Sequence, residues 1–155
     1  MPGPALALAL ALALLVAAAT PGLAQQVIIN KLDDLDHGIW PGTGNLVRTS
    51  RHCVARTAPG NLFSITILGD GPGGAFEARN GAATLVYDVR YRDRSGVPFV
   101  PVLAGVPLTN LVGRNNPNNC RGQRQRVRIR FRAADMAAAL AGTYTGVLTL
   151  IVAPM

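Results

Sequence analysis

Hydrophobic and polar residues alternate with a period of two along much of this chain. In "LFSITIL", the apolar Phe63, Ile65 and Ile67 are separated by Ser64 and Thr66. Successive side chains of a β-strand point to opposite faces of its sheet, so this alternation is typical of a strand with one buried and one solvated face. The pattern therefore predicts a strand in this segment rather than a helix.

Three other segments follow the same pattern. In "TLVYDVRYR", the apolar set is Leu85, Tyr87, Val89 and Tyr91. In "TYTGVLTLIV", it is Tyr144, Leu148, Leu150 and Val152. In "RQRVRIRFR", every second residue is an arginine, and the set is Arg124, Arg126, Arg128, Arg130 and Arg132. Because Val127, Ile129 and Phe131 lie between the last four arginines, this segment predicts a strand with one basic face and one apolar face.

Turn signals separate the predicted strands. Asn80-Gly81 favours a hairpin because both residues tolerate positive φ. The segments 69–74, 92–96 and 115–119 carry the glycine, asparagine and aspartate residues typical of loops. The only helical candidate is Ala133–Leu140, at most about two turns long, which we interpret as a crossover between strands.

Short strands at regular spacing predict one all-β domain, an immunoglobulin-like antiparallel β-sandwich. Tyr144 adds a detail, because it opens the last predicted strand. Either its hydroxyl turns back to the backbone, as in the tyrosine corner of such sandwiches, or it is an ordinary buried tyrosine.

The first 24 residues have the composition of a signal peptide. Their apolar run, Ala5 to Ala19, is shorter than the roughly 20 residues that a membrane-spanning helix needs. Gly22 and Ala24 place small residues at the positions that a signal peptidase reads. We expect residues 1–24 to be removed and residues 25–155 to form the exported domain, with no membrane span of its own. The alternative is an uncleaved N-terminal anchor.

Two cysteines, Cys53 and Cys120, lie in the exported domain. Export takes a protein into an oxidising compartment, where such a pair usually forms a disulfide. On the chain-entropy account, closing a loop of this length stabilises the fold by about 4 kcal/mol. The competing hypothesis is a reactive thiol, which no neighbouring residue supports.

The charge is strongly positive, with 15 Lys and Arg against 8 Asp and Glu. Proteins that bind single-stranded nucleic acid interleave stacking aromatics with cations on one surface, whereas Phe131 falls on the face opposite the arginines. We therefore expect no nucleic-acid ligand. Two hypotheses remain for the arginines. They form a solvated strand face, offset by aspartates on an adjacent strand, or they contact an anionic surface such as lipopolysaccharide or an acidic subunit.

Catalytic, metal and cofactor motifs are missing from the sequence. The glycine-rich segment 69–74 lacks the Lys-Ser/Thr pair of a phosphate-binding loop. His37 and His52, the only histidines, do not have the spacing of metal ligands. We expect no cofactor, no metal site and no enzymatic activity.

Several of these segments resemble the spore coat protein U domain family, which includes subunits of Csu-type archaic chaperone–usher pili. The similar segments are "KLDDLDHGIWPGTGNL" followed by "CV", then "GGAF", "Y-D-V", a second cysteine and "AGTYTGVLTLIVAP". The resemblance covers about residues 27 to 154, and its most specific parts are the ending and the placement of the cysteines.

The resemblance implies an immunoglobulin-like fold that lacks its final strand. A periplasmic chaperone, and then a neighbouring pilin subunit at the usher, supplies that strand by donor-strand exchange. The exchange edge implied here is the last strand, with Tyr144, Leu148, Leu150 and Val152. The implied location is the periplasm and then the cell surface, and the implied role is pilus or coat assembly and adhesion.

One feature departs from polymerising pilins, which carry a donor segment before their first strand. Only Gln25 and Gln26 precede "VIINKL" in the expected mature chain. If Val27–Leu32 is the first strand, the chain is a terminal subunit or a self-contained domain. A self-contained domain would be a periplasmic binding or scaffold module that recognises an anionic surface through its arginine-rich strand. If "VIIN" is instead the donor segment, the fold begins later.

Overall fold

The computed structural model describes residues 26–56, 60–116, 120 and 125–155, and nearly all of its regular structure is β-strand. In chain order, the elements are β1 (Val27–Asn30), β2 (Leu46–Arg56), β3 (Leu62–Gly69), a 3-10 turn (Pro72–Gly74), β4 (Glu77–Asn80), β5 (Ala83–Val86), β6 (Asp88–Arg92), β7 (Val100–Pro101), β8 (Leu108–Val112), β9 (Gln125–Phe131), α1 (Ala133–Ala138) and β10 (Leu148–Pro154). The predicted all-β sandwich is confirmed.

Two antiparallel sheets form the layers of the sandwich. One has five strands in the order β1-β2-β9-β6-β7, and the other has three in the order β10-β3-β8. The strands β4 and β5 form a separate hairpin. The core lies between the sheets and contains Phe63, Ile65 and Ile67 from one layer and Val89, Tyr91, Val127 and Ile129 from the other.

The period-two pattern correctly predicts which side chains are buried. Leu85, Tyr87, Val89 and Tyr91 are all buried, as expected. Their segment is not a single strand, however. Residues Ala83–Val86 pair with β4, whereas Asp88–Arg92 pair with β9. The chain changes partner at Tyr87, whose backbone N–H donates to the Phe76 carbonyl at 3.0 Å.

The predicted hairpin and helix are also present. Asn80 pairs with Ala83 across the β4–β5 turn, and Gly81 provides the positive φ of +59° that the turn needs. The helix α1 ends two residues earlier than the apolar pattern suggests.

Tyr144 makes the backbone contact of a tyrosine corner. Its hydroxyl donates to the Leu140 carbonyl at 3.0 Å, four residues upstream. Of the two alternatives for this residue, the structure therefore favours the corner.

The disulfide between Cys53 and Cys120 is confirmed. The two Cα atoms are 5.8 Å apart, and the bond joins β2 to the segment before β9. Both cysteines are buried. A sequence separation of 67 residues means that the bond encloses β3 to β8 and so constrains half of the sandwich.

The signal-peptide prediction concerns residues 1–24, which lie outside the described residues. Within the described part of the chain, no helix has the length and apolar character required to cross a membrane.

Candidate functional site: the β10 edge and the arginine face

The strand β10 lies at the edge of the three-stranded sheet. It pairs with β3 over its full length, from Leu148 opposite Gly69 to Pro154 opposite Phe63. Among the described strands, β3 is its only ladder partner. The other side of β10 is therefore an open edge.

The register shows which backbone groups face that edge. The N–H of Met155 donates to the carbonyl of Leu62, its partner in register, at 3.2 Å. In an antiparallel pair, every second residue directs both its N–H and its C=O toward the partner strand, and the residues between direct them away. Counting back from Met155, the residues whose backbone groups face the open edge are Leu148, Leu150, Val152 and Pro154.

Proline at position 154 fits this assignment. A proline has no N–H and is tolerated in a strand only where no ladder bond is lost. At position 154 the missing N–H would point to the open edge, so the ladder with β3 remains complete. The open edge consequently offers the N–H groups of Leu148, Leu150 and Val152.

The side chains of β10 also divide into two faces. Leu148, Leu150 and Val152 pack against the core but remain half-buried. Their register partners in β3 include Ile65 and Ile67, which are completely buried. On the opposite face, Ile151 is 51% exposed. The core-facing side chains of β10 are therefore less fully buried than their partners in β3.

The predicted exchange edge starts too early in the chain. Tyr144 lies before β10, because Thr145 pairs instead with Arg79 of β4 through two backbone hydrogen bonds of 2.7 and 3.0 Å. The other three predicted residues, Leu148, Leu150 and Val152, do lie on the strand.

The strand β1 borders the same region. Its backbone pairs with β2 in the five-stranded sheet, while its Cα atoms come within 8 Å of β10. No ladder joins β1 to β10 in the described part of the chain. Val27–Asn30 is thus the domain's own edge strand here, which favours the first of the two alternatives for this segment.

A second surface is the outer face of β2, β9 and β6, which we call the arginine face. Val127 and Ile129 of β9 point into the core, so the alternate residues point outward. The ladder then aligns arginines from three strands. Arg126 lies opposite Arg51 on one side and Arg92 on the other, and Arg128 lies opposite Arg90.

Asp88 neutralises one end of this face. Its carboxylate accepts hydrogen bonds from Arg130 at 2.9 Å and from Arg132 at 2.6 and 3.0 Å. These bonds, led by those from Arg132, lower the pKa of Asp88 to about 2. An aspartate on an adjacent strand thus offsets part of the arginine charge, as the sequence suggested.

The other arginines of the face have no such partner. Within the described residues, the ion pairs of this face join Asp88 to Arg130 and Arg132, and its other arginines have no carboxylate within 4 Å. The uncompensated members of the face are Arg51, Arg90, Arg92, Arg126 and Arg128. Desolvation lowers the pKa of Arg126, and repulsion from Arg92, Arg51 and Arg128 lowers it further.

Phe99 lies among these arginines. The guanidinium carbon of Arg128 is 3.8 Å from the centre of the ring, and that of Arg92 is 4.6 Å away. Cation–π attraction at these distances orients both guanidinium groups. Sequence reasoning missed Phe99 because it lies in a loop, outside the alternating segments.

The structure therefore places the arginines that were predicted to contact an anionic surface in different environments. Arg126 and Arg128 belong to the uncompensated cluster, whereas Arg130 and Arg132 are bound to Asp88. Arg124 lies outside the described residues. Arg90 and Arg92 already stood on the polar face of "TLVYDVRYR" in the sequence, but Arg51 gave no signal.

No protein-family model matches this chain. No curated protein matches it either. A solved structure does, under the description "Chaperone-tip adhesin complex is vital for synergistic activation of CFA/I fimbriae biogenesis". The TM-score is 0.56 and the sequence identity is 16%, over 83% of this chain.

This likeness shows a shared fold. The match covers only 41% of the other chain, so the present chain is much shorter than its structural neighbour. The chain is therefore a β-sandwich of a kind that also occurs in a fimbrial chaperone–adhesin complex. Membership of the spore coat protein U domain family stays a prediction.

Proposed function

We propose that this chain is an exported, non-enzymatic subunit of a fimbria or surface coat. It accepts a β-strand from a periplasmic chaperone, and later from a neighbouring subunit at the usher, along the open edge of β10. The observation that carries this proposal is that edge, where the backbone groups of Leu148, Leu150 and Val152 have no ladder partner within the described residues.

The physical basis is strand addition. A sheet edge offers main-chain hydrogen bonds, and pockets along it receive alternate side chains of the incoming strand. Here the half-buried side chains of β10 would form one wall of such pockets. An apolar edge left open favours aggregation, so a covering strand would also keep the protein soluble. The fold shared with a chain of a fimbrial complex supports the same proposal.

Amide hydrogen exchange tests strand uptake residue by residue. We expect a peptide of alternating valine and threonine to slow exchange at Leu148, Leu150 and Val152, whose N–H groups face the open edge. The amides of Thr149, Ile151 and Ala153 already face β3, so their exchange should change little. Two-dimensional NMR, with and without the peptide, measures both sets. Equal protection of both sets, or protection at other strands alone, would contradict strand addition at β10.

A pair of neighbouring substitutions tests the apolar pockets. We expect Leu150→Asp to weaken peptide binding by at least about tenfold, because a carboxylate in an apolar groove must be desolvated. The matched control is Ile151→Asp, whose side chain points outward and is already 51% exposed. It should change affinity by less than about threefold, since surface substitutions have small effects.

Thermal melting of both variants shows whether each one folds. If Leu150→Asp melts far below the wild type, Leu150→Thr provides a milder loss of apolar surface. Similar affinities for the variants at positions 150 and 151 would count against the proposed groove.

A further inference from the structure

We propose that the arginine face binds an acidic polysaccharide. The site consists of Arg51, Arg90, Arg92, Arg126 and Arg128, together with the shallow cleft beside them. This surface is independent of strand uptake, because it lies on the outer face of the five-stranded sheet and β10 belongs to the other sheet.

The arrangement of the cations favours an extended, charged polymer. Strands in a sheet are about 4.8 Å apart, and side chains on one face of a strand recur at about 6.8 Å. Arg51, Arg126 and Arg92 form one row across three strands, and Arg128 and Arg90 form the next. A flat array of this kind can bind acidic groups on successive units of a chain. Arginine also binds carboxylate and sulfate-like groups through two parallel hydrogen bonds.

The electrostatic cost of the cluster also points to a ligand. Like charges directly opposite each other in a sheet are destabilising. Three buried Nε atoms, of Arg92, Arg126 and Arg128, have no hydrogen-bond partner among the described residues. A polyanion bound over the outward-pointing guanidinium groups would relieve the repulsion between the rows.

The cleft favours a sugar over a simple anion. Its volume is about 280 Å³, and it is lined by Asn45, Val47, Asp88, Arg90, Arg128 and Arg130. Asn45 uses its carbonyl oxygen to accept from the Ala133 N–H at 2.9 Å, which leaves its amide hydrogens for a ligand. The combination of amide and guanidinium donors suits the hydroxyl and carboxylate oxygens of an acidic sugar.

Nucleic acid and membrane fit this surface less well. Base stacking needs a free aromatic face, whereas the Phe99 ring is already covered by Arg92 and Arg128. Membrane insertion needs exposed apolar side chains beside the cations. Val47 is 39% exposed on this face, but one valine gives little apolar surface for insertion. The more exposed Leu103 and Val106 lie near Gly105, whose N–H donates to Ile67 of the other sheet.

Binding measurements with matched variants test the proposal. The probes are heparin and polygalacturonate, with neutral dextran as the uncharged control. We expect Arg51→Gln/Arg126→Gln to weaken binding of either acidic polysaccharide by about tenfold, because two modest surface ion contacts are lost. The control is Lys31→Gln/Arg79→Gln, which removes two cations elsewhere. It should weaken binding by less than about threefold through net charge alone.

Asp88→Asn should act in the opposite direction. It removes the carboxylate that now holds Arg130 and Arg132, and so enlarges the cationic surface. We expect binding to tighten by about threefold, which is the size of one surface charge interaction. Melting temperatures verify that the variants remain folded.

Four outcomes would overturn the proposal. The first is that Arg51→Gln/Arg126→Gln and Lys31→Gln/Arg79→Gln weaken binding equally, which would mean that only the net charge of the protein matters. The second is weaker or unchanged binding by Asp88→Asn. The third is tighter binding, at the same salt concentration, to phosphatidylglycerol vesicles or to duplex DNA than to either acidic polysaccharide. The fourth is no binding to heparin or polygalacturonate at low salt.

Discussion

Reducing the Cys53–Cys120 disulfide is expected to lower the free energy of unfolding by about 4 kcal/mol. The bond closes a loop of 67 residues, and its loss frees the unfolded chain to adopt many more conformations. For a domain of this size, the melting temperature should fall by about 15 °C. Urea unfolding of the same protein, with and without reductant, measures the difference without substituting any residue.

A double variant provides the control for this comparison. Cys53→Ala/Cys120→Ala should be at least as unstable as the reduced protein, because both sulfurs are buried and their removal also leaves small cavities. Its unfolding curve should not respond to reductant. Thiol titration of the reduced wild type should find two free cysteines. If it does and the free energy of unfolding equals that of the oxidised protein, the disulfide does not constrain the unfolded chain.

The faces of the strands were predictable from the sequence, because the alternation of side chains is a local property. Phe63, Ile65 and Ile67 are completely buried, and the alternate arginines of β9 point outward, as the pattern indicates. The hairpin at Gly81 was predictable for the same reason, since positive φ is a requirement of the turn itself.

The points where a segment leaves one neighbouring strand and pairs with another were not predictable, because the alternation of apolar and polar residues continues through them. The run that includes Tyr87 keeps one apolar face while it moves from β4 to β9. The run that begins at Tyr144 likewise pairs with β4 at Thr145 and joins β3 only at Leu148. Between the two lies Gly146, where a Cβ atom would come within 2.9 Å of the Glu77 carbonyl oxygen. The sequence shows the glycine but not the neighbour that requires it.

The candidate sites depend on contacts between residues far apart in the chain. Arg51 and Arg126 meet only because β2 pairs with β9 in a particular register. The register between β6 and β9 brings Arg130 beside Asp88 and places Arg126 opposite Arg92 instead. A one-residue slip of a strand would exchange its two faces, and local patterns do not fix which strands pair.

The open edge of β10 also depends on contacts between residues far apart in the chain. Alternation predicted an apolar strand near the end of the chain, and the resemblance implied that it accepts a partner. Which of its amides face outward follows only from the bond between Met155 and Leu62. The experiment on β10 therefore tests a property that becomes visible only in the folded chain.

Acid is expected to destabilise this fold through His52. The side chain is completely buried in the five-stranded sheet, and its Nε2 lies 3.0 Å from the Tyr91 hydroxyl. Burial lowers the pKa of His52 from 6.5 to about 4. Between these values the unfolded chain binds a proton that the folded chain does not. Stability should therefore fall as the pH drops from 6.5 to 4, by about 3 kcal/mol in total.

His52→Gln tests this origin of the acid sensitivity. Glutamine does not titrate and can still hydrogen-bond to the Tyr91 hydroxyl, so the variant should lose most of the decline between pH 6.5 and 4. His37→Gln is the control, because it removes the other histidine, whose pKa is also lowered by burial, and should leave the contribution of His52 to the slope in place. The paired aspartate is separable, because its stabilising contribution is fully present above the unfolded pKa of 3.8 and is lost as the pH falls from 3.8 to about 2. Urea unfolding from pH 7 to pH 4 compares the slopes, and equal slopes for the wild type and His52→Gln would remove His52 as the cause.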